Sequence, residues 1–377
     1  MNKSVTLFDI AEALGVSTGT VHRALHDHPG VNAKTKARVL ETAKALGYRP
    51  NLAARLLSSK RSLKICVNTL KGTTSFWDEV RAGISEEAQS SLMENIDLEF
   101  CTYPRLGEGE EESFDAALKA EVDGIIVFPS RPEKLRTRIR RASRRGIPVM
   151  CVTTDAPDSG RLAVVSIDTL ASGALAADLL GRFLHGEGTV AVTLSDMRII
   201  EHAEKYSGFE KTLRSLYPKM SVLAPLEDHD IEPEAYEKCR KLLEAHPDLA
   251  GIYVTTEASI PVINAAQDAG VLNKLTIITT DLFSALVPQI RSGAVFATIY
   301  QRPRTQGRMA FRVLREFLAE GECASRQVTL PPHLVMRGNL DFFLERQSGE
   351  GNGSHRRESQ TESSAEAPAE DVIATRS

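Results

Sequence analysis

The residues whose types and spacing are most specific for a chemistry lie near the amino end, in STGTVHRAL. Ser17 is a residue type that caps helix N-termini. Thr18 and Gly19 follow it directly, with Arg23 one helical turn further on. Side chains at the start of such a helix can reach base edges in the major groove of DNA. The spacing therefore predicts a DNA-reading surface.

Two short helices must position this surface. Gly15 lies between them, where a helix end needs a residue that tolerates positive φ. Apolar residues recur at helical spacing on both sides of it, namely Ile10, Ala11, Leu14, Val21, Ala24 and Leu25. Two helices joined by a Gly-containing turn predict a helix-turn-helix over Thr6 to Leu25. An ordinary helical hairpin is the alternative that these twenty residues leave open.

A third helix is predicted after the turn HDHPGVN, with Asn32 as its cap. Its inner side is expected to carry Ala37, Leu40 and Ala43 to Ala45. This gives an all-α head over residues 1–50. Residues 51–61 follow as a linker, or as a helix that forms only on DNA.

Charge is distributed unevenly along the chain. Residues 1–64 hold eleven Lys and Arg against four Asp and Glu, a net charge of +7. Because the whole chain carries −4, the other 313 residues carry −11. Clustered positive charge is what phosphate contacts require, so the skew favours a DNA-binding head on a separate body.

Length and composition limit the remaining classes. A chain of 377 residues is expected to form two or three domains. No apolar run reaches the roughly 18 residues that cross a bilayer, and the amino end is polar, so a cytoplasmic location is expected. The cysteines are odd in number and far apart, which predicts free thiols: Cys66, Cys101, Cys151, Cys239 and Cys323. We expect no metal, no cofactor and no membrane contact.

From Leu63 onward, apolar strand-like runs alternate with amphipathic helical stretches, which predicts parallel βαβ units. Ten such runs exceed one comfortable sheet, so two doubly wound lobes are expected over residues 62–346. In such folds ligands bind at the carboxyl ends of the strands. The basic run 131–146 is predicted to be a solvated helix face. A second DNA contact is the alternative. Residues 347–377 are poor in large apolar side chains and are expected to be a disordered tail.

The head resembles the DNA-binding domain of the lac repressor (LacI/GalR) family of bacterial regulators. The match runs through TLFDIAEALGVSTGTVHRAL, VNAKTKARV and LGYRPNLAARLL. The body looks like the effector domain of that family, which is similar to periplasmic sugar-binding proteins of type I. The resemblance covers about residues 5–345. It assigns 62–168 with 301–328 to one lobe, and 169–300 with 329–346 to the other.

The resemblance implies DNA contacts for particular residues. Arg23 would make a bidentate contact to guanine, and Thr18 would meet thymine or accept a hydrogen bond, whereas Gly19 reads nothing by its side chain. Ser17 would touch phosphate, and His22, a serine in many relatives, would contact phosphate or cover the helix. The remaining contacts implied in the head and hinge are Thr6, Thr20, Asn32 and Asn51.

Residues 51–57 resemble the hinge helix of the family. There a leucine wedges into the minor groove at the operator centre and bends the DNA. Leu57 matches it, with Ala54 and Arg55 beside it; a linker leucine packing on the body is the alternative. Two hinges are needed to open one base step, so the resemblance implies a homodimer, or a tetramer, on a near-palindromic operator.

The resemblance also implies effector-binding residues, each beside a strand end or a loop of the expected cleft. The matching positions are Phe76, Trp77, Asp155, Lys205, Thr256, Glu257, Asp281 and Gln301. Trp77 would stack on a sugar ring, or pack in the core. Two departures change the polarity of the cleft. Lys205 stands where the family has an arginine, and Thr256–Glu257 replaces an asparagine–aspartate pair. A sugar or sugar derivative is the expected effector, with an acidic or phosphorylated ligand left open.

These expectations describe a transcription regulator, most simply a repressor, and not an enzyme. A solute-binding protein for transport is a rival, which the basic head disfavours. An enzyme acting on sugars is a second rival, for which the sequence offers no paired acid/base spacing or nucleophile motif.

Overall fold

A computed structural model describes residues 5–25, 29–46, 62–71, 75–90, 96–105 and 107–349. The predicted hinge positions Asn51, Ala54, Arg55 and Leu57 lie outside these residues, as does the predicted tail from residue 350. The last described helix, Leu340–Gly349, extends past Gln347, where the tail is predicted to begin. Within the described ranges, no helix is long and apolar enough to cross a membrane.

Three helices form the head: α1 (Leu7–Leu14), α2 (Thr18–Leu25) and α3 (Ala33–Leu46). A capping box starts α1, because the Thr6 backbone N–H donates to Asp9 Oδ2 at 2.6 Å and the Asp9 N–H donates to Thr6 Oγ1 at 3.4 Å. Gly15 ends α1 with φ of 65°, a conformation that glycine adopts at little cost. The sequence thus locates the first two helices correctly.

The inner face of α3 differs from the prediction. Val39 and Ala43 are buried against Ile10 and Val21, whereas Ala37 is exposed and Leu40 is 46% exposed. Helix α3 has two apolar stripes about one residue apart, and periodicity alone does not show which stripe faces the core. The choice is made by packing against α1 and α2.

The body contains two sheets. The first runs in the order β12 (Gln327–Leu330), β5 (Ala163–Ile167), β4 (Val149–Val152), β3 (Gly124–Val127), β1 (Leu63–Leu70), β2 (Ile96–Tyr103). The second runs in the order β13 (His333–Val335), β11 (Ala297–Tyr300), β10 (Thr276–Thr280), β9 (Leu249–Val254), β6 (Gly188–Leu194), β7 (Met220–Val222), with β8 (Leu226–Glu227) also on β6. All pairs are parallel except β11 with β13. The two parallel lobes expected from the sequence are therefore present.

Helices cover both faces of each sheet. Because the strands are therefore buried on both sides, their sequences are nearly continuous apolar runs. On the first sheet, Ile126 packs with α4 (Ser75–Ser90) and α12 (Pro303–Glu320), and its neighbour Ile125 packs on the opposite face. The opposite face is covered by α5 (Glu110–Lys119) and α6 (Pro132–Arg144). The second sheet is covered by α7 (Thr169–Phe183), α8 (Ile200–Leu216), α9 (Glu232–Ala245), α10 (Ser259–Asp268), α11 (Val287–Ser292) and α13 (Leu340–Gly349).

Each lobe contains one pair of helices in backbone contact. A Cβ built on Gly173 of α7 would lie 1.9 Å from the Lys205 carbonyl oxygen, and one on Gly208 of α8 would lie 2.2 Å from that of Leu170. The same arrangement joins α4 to α12 through Gly83 and Gly307. These glycines fix the positions of α8 and α4, the two helices whose first turns reach the cleft between the sheets.

The chain passes between the lobes three times: from β5 to α7, from β11 to α12, and from β12 to β13. The predicted lobe boundary at 328 falls inside β12. The sequence analysis did not predict β12 and β13, because both strands are short. Their placement is decided by pairing with β5 and β11 and not by local pattern.

Candidate functional site

A cavity lies between the lobes, at the carboxyl ends of strands from both sheets. Doubly wound folds place ligands in this position. Its lining consists of Leu70, Phe76, Trp77, Phe128, Ile199, Glu201, His202, Lys205, Asp230, Thr255, Thr256, Glu257, Asp281 and Gln301. The cavity therefore combines an aromatic wall from one lobe with polar groups that come largely from the other.

The aromatic wall is built by the first turn of α4 and the end of β3. The centroid of the Trp77 ring lies 4.4 Å from the ring centroid of Phe128 and 5.0 Å from the ring centroid of Phe76. Trp77 is only 6% exposed and also contacts the core of the first lobe. Such a ring can both pack in the core and offer a surface to the C–H face of a ligand.

The first turns of α8 carry a cluster of buried ionisable side chains. Lys205 is 1% exposed; its Nζ donates to the Thr255 carbonyl at 3.2 Å and lies 3.7 Å from Glu201 Oε1. His202 Nε2 lies 3.4 Å from the same carboxylate. Burial would raise the pKa of Glu201, but Lys205 and His202 together hold that pKa down at about 2. Glu201 is therefore an anion whose charge is balanced inside the protein.

Asp281 and Gln301 form the floor, after β10 and β11. The Gln301 backbone N–H donates to Asp281 Oδ1 at 3.0 Å and its Nε2 donates to Oδ2 at 2.6 Å. Burial and the nearby Glu257 raise the pKa of Asp281 to about 7, although Lys205 and Gln301 partly oppose this. Asp281 thus titrates near neutral pH.

Hydrogen bonds join the lobes across the cleft. Glu257 Oε1 accepts from Ser75 Oγ at 2.7 Å and from the Phe76 N–H at 3.0 Å, so a residue after β9 caps a helix of the first lobe. Thr154 Oγ1 donates to Glu201 Oε2 at 3.4 Å. The lobes are therefore held together by groups that also line or border the cavity.

Backbone strain is concentrated at the same edge. Thr153, Asp230, Asp281 and Arg302 all have left-handed φ values, between 55° and 71°. Such a conformation is unusual for non-glycine residues, above all for a β-branched one such as Thr153. Strained residues that cluster at strand ends are typical of ligand sites.

Seven of the eight effector positions carried over from the resemblance lie together in this lining, and Asp155 does not. The Asp155 carboxylate is paired with Arg161, whose Nη2 lies 2.6 Å from Oδ2. The preceding residue, Thr154, is the one that reaches across the cleft. The sequence analysis did not predict Glu201, His202 or Asp230 at this site. The i, i+4 spacing of Glu201 and Lys205 is the signal that could have identified Glu201.

The candidate DNA surface lies on α2. Ser17 caps the helix, since its Oγ accepts from the Thr20 N–H at 3.2 Å and lies 2.9 Å from Thr20 Oγ1. The exposed side of the helix start carries Ser17, Thr18, Gly19, His22 and Arg23, opposite the buried Val21 and Ala24. Asn32 caps α3, accepting from the Thr35 N–H at 2.8 Å.

Comparisons with known proteins agree with this two-part organisation. Residues 6–51 match the family model for bacterial regulatory proteins of the lacI family, and residues 66–322 match the periplasmic binding protein domain. Catabolite control protein A from Priestia megaterium is 28% identical over 341 residues, which cover 89% of this chain and 98% of that protein. Its counterpart from Staphylococcus epidermidis is 26% identical, covering 89% and 99%.

Among solved structures, GanP, a glucose-galactose binding protein from Geobacillus stearothermophilus, has a TM-score of 0.69 at 24% identity. The match covers 74% of this chain and 99% of GanP. A solute-binding protein of an ABC transporter from Burkholderia graminis, in complex with D-arabinose, has a TM-score of 0.70 at 22% identity, covering 74% and 97%. At these identities the likeness is one of fold.

Proposed function

The chain belongs to the lac repressor family of DNA-binding transcription regulators, and from that premise we propose that it is a repressor whose operator affinity is set by a sugar or sugar-like effector in the interlobe cleft. The protein would act in the cytoplasm as a homodimer, or a tetramer, on a near-palindromic operator. Its role is binding and not catalysis.

The observation that carries the effector assignment is the cavity between the lobes. It places aromatic rings opposite buried hydrogen-bonding groups, the combination that suits a ligand with apolar C–H faces and polar edges. Two structural neighbours are a glucose-galactose binding protein and a solute-binding protein in complex with D-arabinose. Trp77 and Phe76 would stack on the ring, and Lys205, Asp281 and Gln301 would meet its polar groups.

DNA reading is assigned to the exposed start of α2. Arg23 would supply the guanine contact, Thr18 a thymine contact, and Ser17, Thr20 and His22 phosphate contacts. Because Gly19 has no side chain, only Thr18 and Arg23 would contact bases from this part of the helix. The assignments of Thr6 and Asn32 to the DNA surface, and of Asn51, Ala54, Arg55 and Leu57 to a hinge, also remain proposals.

Coupling between the two sites requires an effector that binds one arrangement of the lobes more tightly than another. The contacts of Glu257 with Ser75 and Phe76 join the lobes directly beside the cavity. A ligand that strengthens or replaces these contacts shifts the angle between the lobes. In a dimer, that shift would change the separation of the two heads.

A thermal-shift screen of sugars and polyols on the full chain tests the proposal. An effector raises the melting temperature by mass action, and the same compound should change affinity for an operator selected from random DNA. Stoichiometric binding without any product separates a regulator from a sugar-processing enzyme. Absence of binding by every sugar and polyol would contradict the effector assignment, and a selected operator bound by one head alone would contradict the dimer.

A further inference from the structure

The ionisable groups of the cleft are predominantly acidic. Among the described lining residues, the carboxylates are Glu201, Asp230, Glu257 and Asp281, against the cations Lys205 and, when protonated, His202. Lys205 is already engaged, because its Nζ contacts the Thr255 carbonyl and lies 3.7 Å from Glu201 Oε1. The charge that a ligand meets is therefore negative: Glu257 and Asp230 carry it, and Asp281, whose pKa burial raises to about 7, adds to it at and above neutral pH.

Unpaired hydrogen-bonding atoms lie at the same place. Gln301 is 4% exposed and its Oε1 has no hydrogen-bond partner among the described residues. The Oγ1 of Thr255, a fully buried residue, also lacks a partner there. A buried acceptor without a donor is costly, and both residues line the cavity, so a ligand that donates hydrogen bonds would satisfy them.

Glu257 and Asp281 both line the cavity, and after burial the charge of Glu257 is the largest cause of the raised pKa of Asp281. A cation placed between them would relieve this repulsion, and an ammonium group also supplies three donors. A carboxylate or phosphate in the same place would add to the repulsion and would compete with Glu201 for Lys205.

Resting on the proposed sugar-binding function, we propose that the effector is an amino sugar, whose protonated amine lies between Glu257 and Asp281 and donates to Gln301 Oε1. The sugar ring would lie against Trp77. The cleft discriminates against acidic and phosphorylated sugars, which the sequence alone leaves open.

Fluorescence of Trp77, the only tryptophan in the chain, provides the measurement on the full-length protein. Four compounds are titrated in each of the gluco, galacto and manno series: the neutral hexose, the 2-amino sugar, its N-acetyl derivative and the uronate. In at least one series the amino sugar should bind about tenfold more tightly than both neutral compounds, with the uronate weakest. The N-acetyl derivative separates the effect of charge from that of the nitrogen.

Two variants assign the preference to particular carboxylates. Glu257→Gln should reduce the ratio of amino-sugar to hexose affinity to below about threefold. Because Glu257 also joins the lobes, Asp230→Asn provides a second test at an exposed position, where the same ratio should fall. Asp158→Asn is its matched control, an exposed aspartate with φ of 58° outside the lining, and should leave the ratio unchanged.

Hexose binding with no preference for the amine in any series would overturn this inference and leave the proposed function intact. Tighter binding of a uronate would do the same. If no compound of any series binds, both the inference and the proposed sugar effector fail.

Discussion

At the scale of single residues, the proposed base reading depends most on Arg23. Arg23→Ala should lower the free energy by which the protein discriminates between the selected operator and a variant that lacks the contacted guanine. The expected loss is about 1–3 kcal/mol. Arg38→Ala, an exposed arginine on α3, is the matched control, and it should weaken both operators equally if it contacts phosphate. Equal discrimination by wild type and Arg23→Ala in a fluorescence-anisotropy titration would refute the base contact.

Asp281 gives a pH prediction. Its pKa is about 7 in the folded protein and near 3.8 in the unfolded chain, so between these values the folded state holds a proton that the unfolded chain has lost. Stability should therefore fall as pH rises from about 4 to 7 and level off above. Glu110 and Asp228, whose pKa values burial likewise raises to about 7, act in the same direction.

Asp281→Asn removes the contribution of this residue to the pH dependence of stability. The amide can still bond with Gln301, whose own amide can rotate to accept from it. Denaturant unfolding should show the variant about 1–3 kcal/mol more stable than wild type at pH 8 and nearly equal at pH 4.5. A variant that is less stable than wild type at pH 8 would show that the charge at Asp281 stabilises the fold.

Residue positions were partly predictable from the sequence. The resemblance to sugar-binding proteins identified the side chains that follow strands β9, β10 and β11, and parallel strands do bring their carboxyl ends to one edge. Glu201 and His202 were missed because they follow a loop after β6 and reach the cavity only through the placement of α8. The opposite case is Asp155, which follows a strand but is turned to Arg161 by an ion pair that spacing cannot reveal.

At the scale of elements, the crossing of α7 and α8 sets the position of Glu201, His202 and Lys205. Gly173→Ala would bring a methyl group into the Lys205 carbonyl, and overpacking of this kind costs about 1–3 kcal/mol. Both the melting temperature and effector affinity should fall, because the helix that carries the charged group must move. Unchanged affinity in a variant with a lowered melting temperature would show that α8 is not coupled to the cavity.

Gly19→Ala tests the opposite expectation in α2. The added Cβ would meet only Ser17 Oγ, at 3.8 Å, and alanine loses less entropy than glycine in a helix. The head should be stabilised by about 0.4–1 kcal/mol, as measured by calorimetry of the full chain. Destabilisation would contradict the helical placement of Gly19.

Element types followed from periodicity, but their edges and faces did not. Strand β3 is four residues where the apolar run has eight. The face of α3 was predicted in part, since Ala43 is buried as expected; Val39 and Leu40 are both apolar, and only packing against α1 and α2 selects Val39. Strand β12 depends on a partner 163 residues away in the chain, and β13 on one 33 to 37 residues away.

At the scale of the whole molecule, the sequence indicated both parts because each has its own signature: clustered basic charge with helical caps in the head, and alternating strands and helices in the body. It could not indicate how the lobes meet. The contacts of Glu257 with Ser75 and Phe76 join residues more than 180 positions apart, and no local pattern predicts them. The cavity that these contacts enclose is the feature on which regulation would depend.

The most direct test of the account is reciprocal linkage between the cleft and the head. The Kd of the effector is measured by Trp77 fluorescence with and without saturating operator, and the Kd of the operator is measured with and without saturating effector. If the cleft and the head are coupled through one two-state equilibrium, the two ratios of Kd values will be equal and will differ from one by at least about fivefold. An effector that fills the cleft and leaves operator affinity unchanged would contradict this coupling.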